Sequence, residues 1–376
     1  MKKRILAALM VCAMGLTMTA CGSGSTDAPA QDSGATQTSS GGDYSGTKVA
    51  IILKTLSSEY WGYVEAGIRA AEKDLGCTVD LAGPPSETSY DEQQNMIETI
   101  KGRSDIQAVA VAPLQPDMAA TLLKDMTIPV LAVDTRIKGA DNVLSFVGTD
   151  HETAAHDGAK QLCESIGSGA KVALIEGVQG DTTNTARFKG FQEGAEEAGA
   201  EILDVQYCNA AEDQARTAMD AILSRFPNKG DLDIVFVCND GCAQAAARAL
   251  KETGRDDILI CGYDGISSGV QSIIDGTMAA SVAQDPYNIG YQCVKALCMA
   301  ANGETIDKEI DTGSRLITKD NAEEYLATLN EYPNKLDPLI FSRFFHSGRG
   351  THGMVMCAPC QQTKVCLEKN IKGNNP

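Results

Sequence analysis

Polar side chains suited to a hydroxylated small molecule follow several short apolar runs of this sequence. The residues concerned are Ser58, Tyr60, Trp61, Asp134, Asn239, Asp264 and Gln284. Carboxylates and amides offer paired acceptors, or an acceptor with donors, to vicinal hydroxyl groups, and aromatic faces suit the C–H faces of a sugar ring. A single Asp or Asn after a strand is more often a helix cap or a turn former. Five such strand ends together predict a polar small-molecule site.

The elements that must position these residues show a regular alternation. From residue 47 onward, short β-branched runs alternate with amphipathic stretches of helical period, which predicts βα units and parallel sheets. Strands are predicted at 48–53, 79–81, 108–111, 130–133, 143–147, 171–175, 202–207, 234–237, 258–261 and 278–283. Helices are predicted at 61–75, 90–101, 118–125, 152–166, 185–198, 213–225, 244–252, 269–275 and 286–301.

Ten predicted strands are too many for one modest sheet. We therefore predict an α/β fold with two Rossmann-like lobes, each with its own parallel sheet and flanking helices. Ligands of such sheets bind beyond the carboxyl ends of the strands, so we expect a cleft between the lobes.

Composition and charge exclude several functions. The chain has 376 residues, of which 43% are hydrophobic and 22% charged, which is typical of a soluble globular protein. A formal net charge of −18 would repel a phosphate backbone, so we expect no nucleic-acid partner.

The N-terminus has the pattern of an export signal. A basic start and a short apolar stretch end at Met18-Thr19-Ala20-Cys21, which looks like a bacterial lipobox. We predict a signal peptide at 1–20, a lipidated Cys21 that anchors the exported protein to the membrane at the cell surface or in the periplasm, and a flexible tether at 21–46. The alternative is an ordinary signal peptide cut near Ala20.

An ordered series of motifs extends the interpretation. They are KTLSSEYW at 54–61, PVLAVD at 129–134, FVGTD at 146–150, EGVQG at 176–180, TARFKGF at 185–191, FVCND at 236–240, GYDG at 262–265 and VAQDPY at 282–287. From about residue 47 to 324 the chain resembles the ribose-type sugar-binding proteins of bacterial ABC importers, substrate-binding lipoproteins with the type I periplasmic-binding-protein fold. The resemblance implies capture of a monosaccharide or related small polar solute for an ABC transporter permease, without catalysis, cofactor or metal.

The resemblance also implies a role for each site residue. Ser58, Tyr60 and Trp61 would lie in the loop after the first strand, with the aromatic rings against the sugar. Asp134 would bind hydroxyl groups from the same lobe, and Arg187, Asn239 and Asp264 would approach from the other lobe. Gln284 would lie on the hinge side of the cleft.

The resemblance further implies a three-crossing hinge, with crossings near Thr149, Gln284 and Thr312. The N-terminal lobe would then comprise 47–149 and 285–312, and the C-terminal lobe 150–284 and 313–329. Residues 330–376 would form an atypical C-terminal extension.

Departures from the ribose pattern bear on the ligand. Thr135 follows Asp134 where the pattern has Arg, which is displaced to Arg136; Ala112 stands in place of an Asn, and an aromatic residue expected near Ala211 is missing. Because a lost hydroxyl partner can change discrimination by orders of magnitude, we expect a different pentose, a hexose, a polyol or a related solute.

Other functions remain open from the sequence. The same lobes could belong to a receptor that signals to a membrane kinase or chemoreceptor. Asp134 and Asp264 could in principle form a glycosidase pair. EGVQG lacks the Lys of a P-loop, which argues against nucleotide binding.

Thirteen cysteines are unusual in an exported protein of this size. Cysteines such as Cys238 and Cys261 fall on predicted elements, so we expect mainly free, buried thiols. Cys357 and Cys360 could contribute to a zinc knuckle, although we favour a poorly ordered extension.

Overall fold

A computed structural model describes residues 42–332, and every structural statement below concerns that part of the chain. The predicted signal peptide, the lipidation of Cys21, nearly all of the predicted tether and residues 333–376 of the predicted extension lie outside the described residues.

Strands and helices alternate along most of the described chain. In chain order the elements are β1 (Lys48–Ile52), α1 (Glu59–Leu75), β2 (Thr78–Ala82), α2 (Tyr90–Lys101), β3 (Ala108–Val111), α3 (Pro116–Leu123), β4 (Val130–Val133), β5 (Val143–Gly148), α4 (His151–Ile166), β6 (Lys171–Glu176), α5 (Thr182–Glu197), β7 (Glu201–Tyr207), α6 (Glu212–Arg225), β8 (Ile234–Val237), α7 (Asp240–Thr253), β9 (Leu259–Asp264), α8 (Ser267–Ile274), β10 (Ala280–Gln284), α9 (Pro286–Ala301), β11 (Glu309–Asp311), β12 (Ser314–Thr318) and α10 (Ala322–Leu329).

Two six-stranded sheets organise these elements into two lobes. The first sheet has the order β11-β5-β4-β3-β1-β2 and the second has the order β12-β10-β9-β8-β6-β7. The strand pairs are parallel except for β12, which runs antiparallel to β10. The chain passes between the sheets after β5, after β10 and after β11. The predicted α/β fold with two parallel-sheet lobes is therefore confirmed.

Helices cover both faces of each sheet, and this explains the composition of the strands. Central strands such as β3 and β8 are short apolar runs with every residue buried, as parallel sheets covered on both faces require. In the first lobe, α1 and α9 cover one face and α2 and α3 the other. In the second lobe, α6, α7, α8 and α10 cover one face and α4 and α5 the other.

Two helix pairs approach closely at glycines. A Cβ at Gly67 of α1 would collide with the carbonyl oxygen of Tyr287 on α9, and a Cβ at Gly290 would collide with that of Val64. Gly190 of α5 has the same relation to the carbonyl oxygen of Glu152 on α4. Larger residues here would force the helices apart, because backbone atoms cannot yield as a side chain can.

The ten predicted strands all form, whereas β11, β12 and α10 were not predicted. β11 has only three residues, and β12 is an edge strand with exposed Ser314 and Arg315, so neither shows a long apolar run. The predicted start of α7 at residue 244 was wrong, because Asn239 caps the helix and starts it at Asp240. None of the helices between residues 42 and 332 is both long and apolar enough to cross a lipid bilayer.

Candidate functional site

A cleft lies where the strand-end loops of the two lobes meet. Its volume is about 570 Å³, within the range of small-molecule sites. Of the predicted site residues, those that line it are Ser58, Tyr60, Trp61, Asp134, Arg187, Asn239 and Asp264. The structure thus brings seven of the eight predicted side chains to one cavity.

On the first lobe, Tyr60 and Trp61 line the cleft from the first turn of α1, rather than from the preceding loop as predicted. The Tyr60 hydroxyl donates to Asp134 Oδ1 at 2.7 Å, and the Trp61 indole nitrogen donates to Glu87 Oε1 at 3.1 Å. The rings meet edge to face, with centroids 5.1 Å apart. Both side chains are largely buried, at 7% and 2% exposed. Their polar atoms are held in place, so the aromatic wall is rigid.

On the second lobe, Arg187 projects from α5 into a set of fixed partners. Its guanidinium lies 3.1 Å from Asp264 Oδ1, donates to the Cys238 carbonyl at 2.8 Å, and stacks 3.8 Å from the Tyr263 ring centroid. Its Nε is buried without a hydrogen-bond partner within residues 42–332. A buried donor left without an acceptor costs folding free energy.

The charges of this group shift one another's pKa values. Burial alone would lower the pKa of Arg187, but Asp264 and the neighbouring acidic groups outweigh that effect and raise it. Burial raises the pKa of Asp264 to about 6, although Arg187 and Gln284 act to lower it. Asp264 is therefore ionised at neutral pH and becomes protonated in mild acid.

Two carboxylates of the cleft, Asp134 and Asp264, stand on unusual backbone. Asp134 follows β4 with a φ of 61°, and Asp264 ends β9 with a φ of 108°. Side chains rarely occupy this region, and such strain persists where the surroundings enforce it. Gly148 makes room for the first of these turns, since a Cβ there would lie 3.2 Å from the Asp134 Cα. The strained turns aim both carboxylates into the cleft.

Two predicted residues are helix caps as well as cleft residues. The Ser58 hydroxyl accepts from the Trp61 amide, and Asn239 Oδ1 accepts from the Cys242 amide at 2.8 Å. The amide nitrogen of Asn239 is left as the group that can donate to a ligand. Asp240, the next residue, is fully buried and accepts from Ser281 and from the Ile266 amide, so its role is to join loops of the second lobe.

Gln284 lies behind the cavity rather than on its surface. It is 3% exposed, its amide donates to Asp264 Oδ1 at 2.8 Å, and its Oε1 accepts from the Tyr60 hydroxyl at 3.2 Å. Gln284 thus connects a first-lobe aromatic residue to a second-lobe carboxylate.

A buried ion pair joins the lobes, and sequence reasoning missed it. Lys54 Nζ, from the loop after β1, lies 2.7 Å from Oδ2 of Asp181, the N-cap residue of α5. Both side chains are 5% exposed. Asp181 raises the pKa of Lys54 against the lowering effect of burial, and Lys54 lowers the pKa of Asp181 against the raising effect of burial. The Asp-Thr-Thr sequence at the start of α5 indicates that Asp181 caps the helix. It does not indicate that Asp181 pairs with Lys54.

Two further contacts between the lobes escaped prediction. Glu59 Oε1, on the first turn of α1, accepts from the Ser267 amide at 2.8 Å and from its hydroxyl. The hydroxyls of Thr135 and Thr183 lie 2.9 Å apart. The signals in the sequence were weak: Glu59 lies at the start of α1, and Thr135 lies just beyond β4.

His151 also bridges the lobes, at the first chain crossing. Its ring nitrogens lie 3.0 Å from the Asp134 carbonyl and 3.1 Å from the Tyr263 hydroxyl. Burial lowers the pKa of His151 to about 4, and Arg187 contributes to the shift. His151 is therefore neutral at physiological pH.

The departures from the ribose pattern have visible consequences. Ala112 is buried outside the cavity lining, and its carbonyl accepts from Gln93 Nε2 at 2.9 Å. Arg136 also lies outside the lining and pairs with Glu309 at 2.7 Å. Ala211 does line the cavity, as a small residue where the pattern has an aromatic ring.

Comparison with known proteins supports one relationship. A D-allose-binding periplasmic protein of Escherichia coli is 28% identical over 294 residues, which cover 75% of this chain and 90% of that protein. The structure of an ABC transporter solute-binding protein from Agrobacterium vitis with bound D-fucose is 28% identical, covers 75% of this chain and 99% of its own, and has a TM-score of 0.68.

A solved solute-binding protein from Actinobacillus succinogenes, with bound D-allose, shares the fold at 23% identity. It covers 74% of this chain and 100% of its own, with a TM-score of 0.68. The family model for the periplasmic binding protein domain matches residues 49–305. The two parallel-sheet lobes, the cleft between them and this match together show that the chain belongs to the periplasmic binding protein domain family.

Proposed function

We propose that this protein captures a monosaccharide or polyol in the cleft between its lobes and delivers it to an ABC transporter permease. The observation that carries the proposal is the paired arrangement of Asp134 on one lobe with Arg187 and Asp264 on the other. Carboxylates that accept and a guanidinium that donates suit a ring of neighbouring hydroxyl groups. Trp61, which lines the same cleft, provides an apolar wall for the carbon atoms of a sugar ring.

The similarity to sugar-binding proteins supports this ligand class. D-allose and D-fucose are hexoses that differ in the orientation and number of their hydroxyl groups. Ala211 is small where the ribose pattern has an aromatic ring, and this leaves room in the lining for a ligand larger than ribose. We therefore expect a hexose or a polyol of similar size.

The carboxylates of the cleft act in binding rather than in catalysis. Asp264 Oδ1 is already held by Gln284 at 2.8 Å and lies 3.1 Å from Arg187. These donors hold Asp264 as a hydrogen-bond acceptor, the role that binding of a sugar hydroxyl group requires. Purified protein should release no product from a panel of nitrophenyl glycosides.

The location follows from the predicted N-terminus. The protein is exported, and Cys21 becomes lipidated and holds it at the membrane, with residues 21–46 as a tether. Residues 47–149 with 285–312, and 150–284 with 313–329, are the two lobes that a permease would contact. Mass spectrometry of the mature N-terminus should find a diacylglyceryl cysteine at residue 21; an unmodified terminus would contradict the anchor.

Isothermal titration calorimetry tests the ligand proposal. The protein lacking residues 1–21 is titrated with D-allose, D-fucose, D-ribose, myo-inositol and glycerol. At least one hexose or polyol should bind saturably at a single site, and Arg187→Ala should abolish the heat. No binding by any sugar or polyol, with the fold intact by circular dichroism, would refute the proposal.

A further inference from the structure

Three cysteines of the second lobe converge directly behind the cleft wall. Cys208 follows β7, Cys238 follows β8, and Cys242 lies in the first turn of α7. The Sγ atom of Cys208 lies 3.6 Å from that of Cys238 and 3.8 Å from that of Cys242. All three side chains are buried and reduced. Within residues 42–332 they form a group whose sulfur atoms all lie within 4.8 Å of one another.

These separations match those of sulfur atoms around one metal ion. Metal–thiolate bonds of about 2.3 Å place the sulfurs of a tetrahedral or trigonal site about 3.8 to 4.0 Å apart. Little movement of the side chains would therefore admit an ion at the centre of the group. Each thiol would pass its proton to solvent on coordination.

The backbone fixes the three cysteines in this position. The amides of Cys208 and Cys238 donate to the carbonyls of Glu176 and Ile175, at 2.8 and 3.0 Å. The Cys242 amide donates to Asn239 Oδ1, and the Cys238 carbonyl accepts from Arg187, both at 2.8 Å. A site whose backbone is already held loses little freedom when an ion binds.

The turn after Cys208 is strained. Asn209 and Ala210 both have positive φ, at 48° and 54°, although neither is glycine. Two consecutive residues in this conformation cost energy that the surrounding structure must offset. They line the cleft while Cys208 remains fully buried. This turn therefore separates the cleft from the buried Cys208.

We propose that Cys208, Cys238 and Cys242 form a three-thiolate site for a soft monovalent cation of the Cu(I) type. Structural zinc sites are almost always four-coordinate, and the group offers no fourth His, Cys, Asp or Glu ligand within the described part of the chain. Soft thiolates select Cu(I), for which three sulfur ligands suffice.

A copper titration tests this proposal on the full-length protein. Reduced protein is titrated anaerobically with Cu(I) against bicinchoninate, and Cys208→Ala is compared with Cys293→Ala, which removes a buried cysteine from α9 in the other lobe. Any copper bound by Cys357, Cys360 and Cys366 is the same in every variant, because all variants retain these three cysteines. Cys208→Ala should lose about one equivalent of tightly bound Cu(I), and Cys293→Ala should lose none. Equal stoichiometry in both variants would overturn the proposal.

A second measurement covers the case in which Cys208→Ala does not fold. Crystals of the unaltered protein grown with Cu(I) should show anomalous copper scattering between the three sulfur atoms. Absence of that peak, or zinc binding there in preference to copper in a mixed-metal titration, would overturn the assignment.

Discussion

Across the cleft, the first lobe contributes the side chains of Lys54 and Glu59 to contacts between the lobes, and the second lobe meets them at the N-termini of α5 and α8. Lys54, Glu59 and Tyr60 reach outward from α1 and the loop before it. Opposite them lie the first turns of α5, α7 and α8. Helix N-termini carry unpaired amides and a partial positive charge, which favour acidic partners.

The difference is clearest at α8, which has no side-chain cap of its own. Glu59 supplies that cap from the other lobe, through the Ser267 amide at 2.8 Å. Asp181 caps α5 within its own lobe, accepting from the Asn184 amide, yet it also pairs with Lys54 across the cleft. Side chains of the first lobe therefore supply a helix cap and an ion-pair partner to helices of the second lobe. Binding and closure can be altered separately, since these contacts differ from the proposed ligand contacts.

The largest expected effect is on the proposed ligand contacts of the second lobe. Arg187→Ala should weaken sugar binding by on the order of 1000-fold, because it removes a charged donor and leaves Asp264 buried without its cation. Calorimetry with the sugar that the unaltered protein binds is the measurement. Arg216→Ala, at an exposed pair with Glu252, is the control and should change the affinity less than twofold.

Breaking the Lys54–Asp181 pair should come next. Lys54→Met leaves Asp181 buried and unpaired, which should cost about 3 kcal/mol of unfolding free energy. Chemical denaturation measures this loss. The double variant Lys54→Met with Asp181→Asn should recover much of it, since no buried charge then lacks a partner. A double variant as unstable as the single one would show that the pair is not the cause.

The protonation of His151, at the first chain crossing, should make the stability of the protein depend on pH. Its pKa is about 4 in the folded protein against 6.5 ordinarily, so between those pH values only the unfolded chain takes up the proton. Stability should therefore fall as pH falls from 6.5 to 4, by about 3 kcal/mol from this group. Asp264 acts in the opposite direction, because its pKa is raised to about 6.

Comparing His151→Gln with Asp264→Asn separates these two effects. Melting temperatures between pH 4 and pH 7 should decline less in His151→Gln than in the unaltered protein, and more in Asp264→Asn. Asp134, Arg187 and Lys54 also face His151, and both variants retain them. Parallel pH profiles for all three proteins would contradict the assignment.

The smallest effect is expected at the Glu59 cap. Glu59→Gln keeps an oxygen acceptor but removes the charge at the N-terminus of α8, so stability should fall by about 1 kcal/mol. Thermal unfolding provides the measurement. Glu98→Gln, at an exposed position of α2 where the carboxylate accepts from Gln94, is the control. If Glu59→Gln loses no more stability than the control variant, the Glu59 cap does not stabilise the contact between the lobes.

The sequence allowed prediction of elements with strong local signals and of residues next to them. The ten apolar strands are such elements, and Asp134 and Asp264 could be found because strand ends of parallel sheets share one edge. The ion pair of Lys54 with Asp181 could not be predicted, because 127 residues separate the two. Nothing in the sequence around either residue identifies its partner. The strained φ angles of Asp134 and Asp264 were equally hidden, because they depend on packing around the turn.

The fluorescence of Trp61 tests the central claim, that a sugar is held between the two edges of the cleft. Trp61 is the single tryptophan of the chain, it lines the cleft, and its indole is fixed to Glu87 at 3.1 Å. Titration with the sugar found by calorimetry should give a saturable change with the same dissociation constant, absent in Arg187→Ala. Binding heat without any change at Trp61 would place the ligand elsewhere and contradict the account.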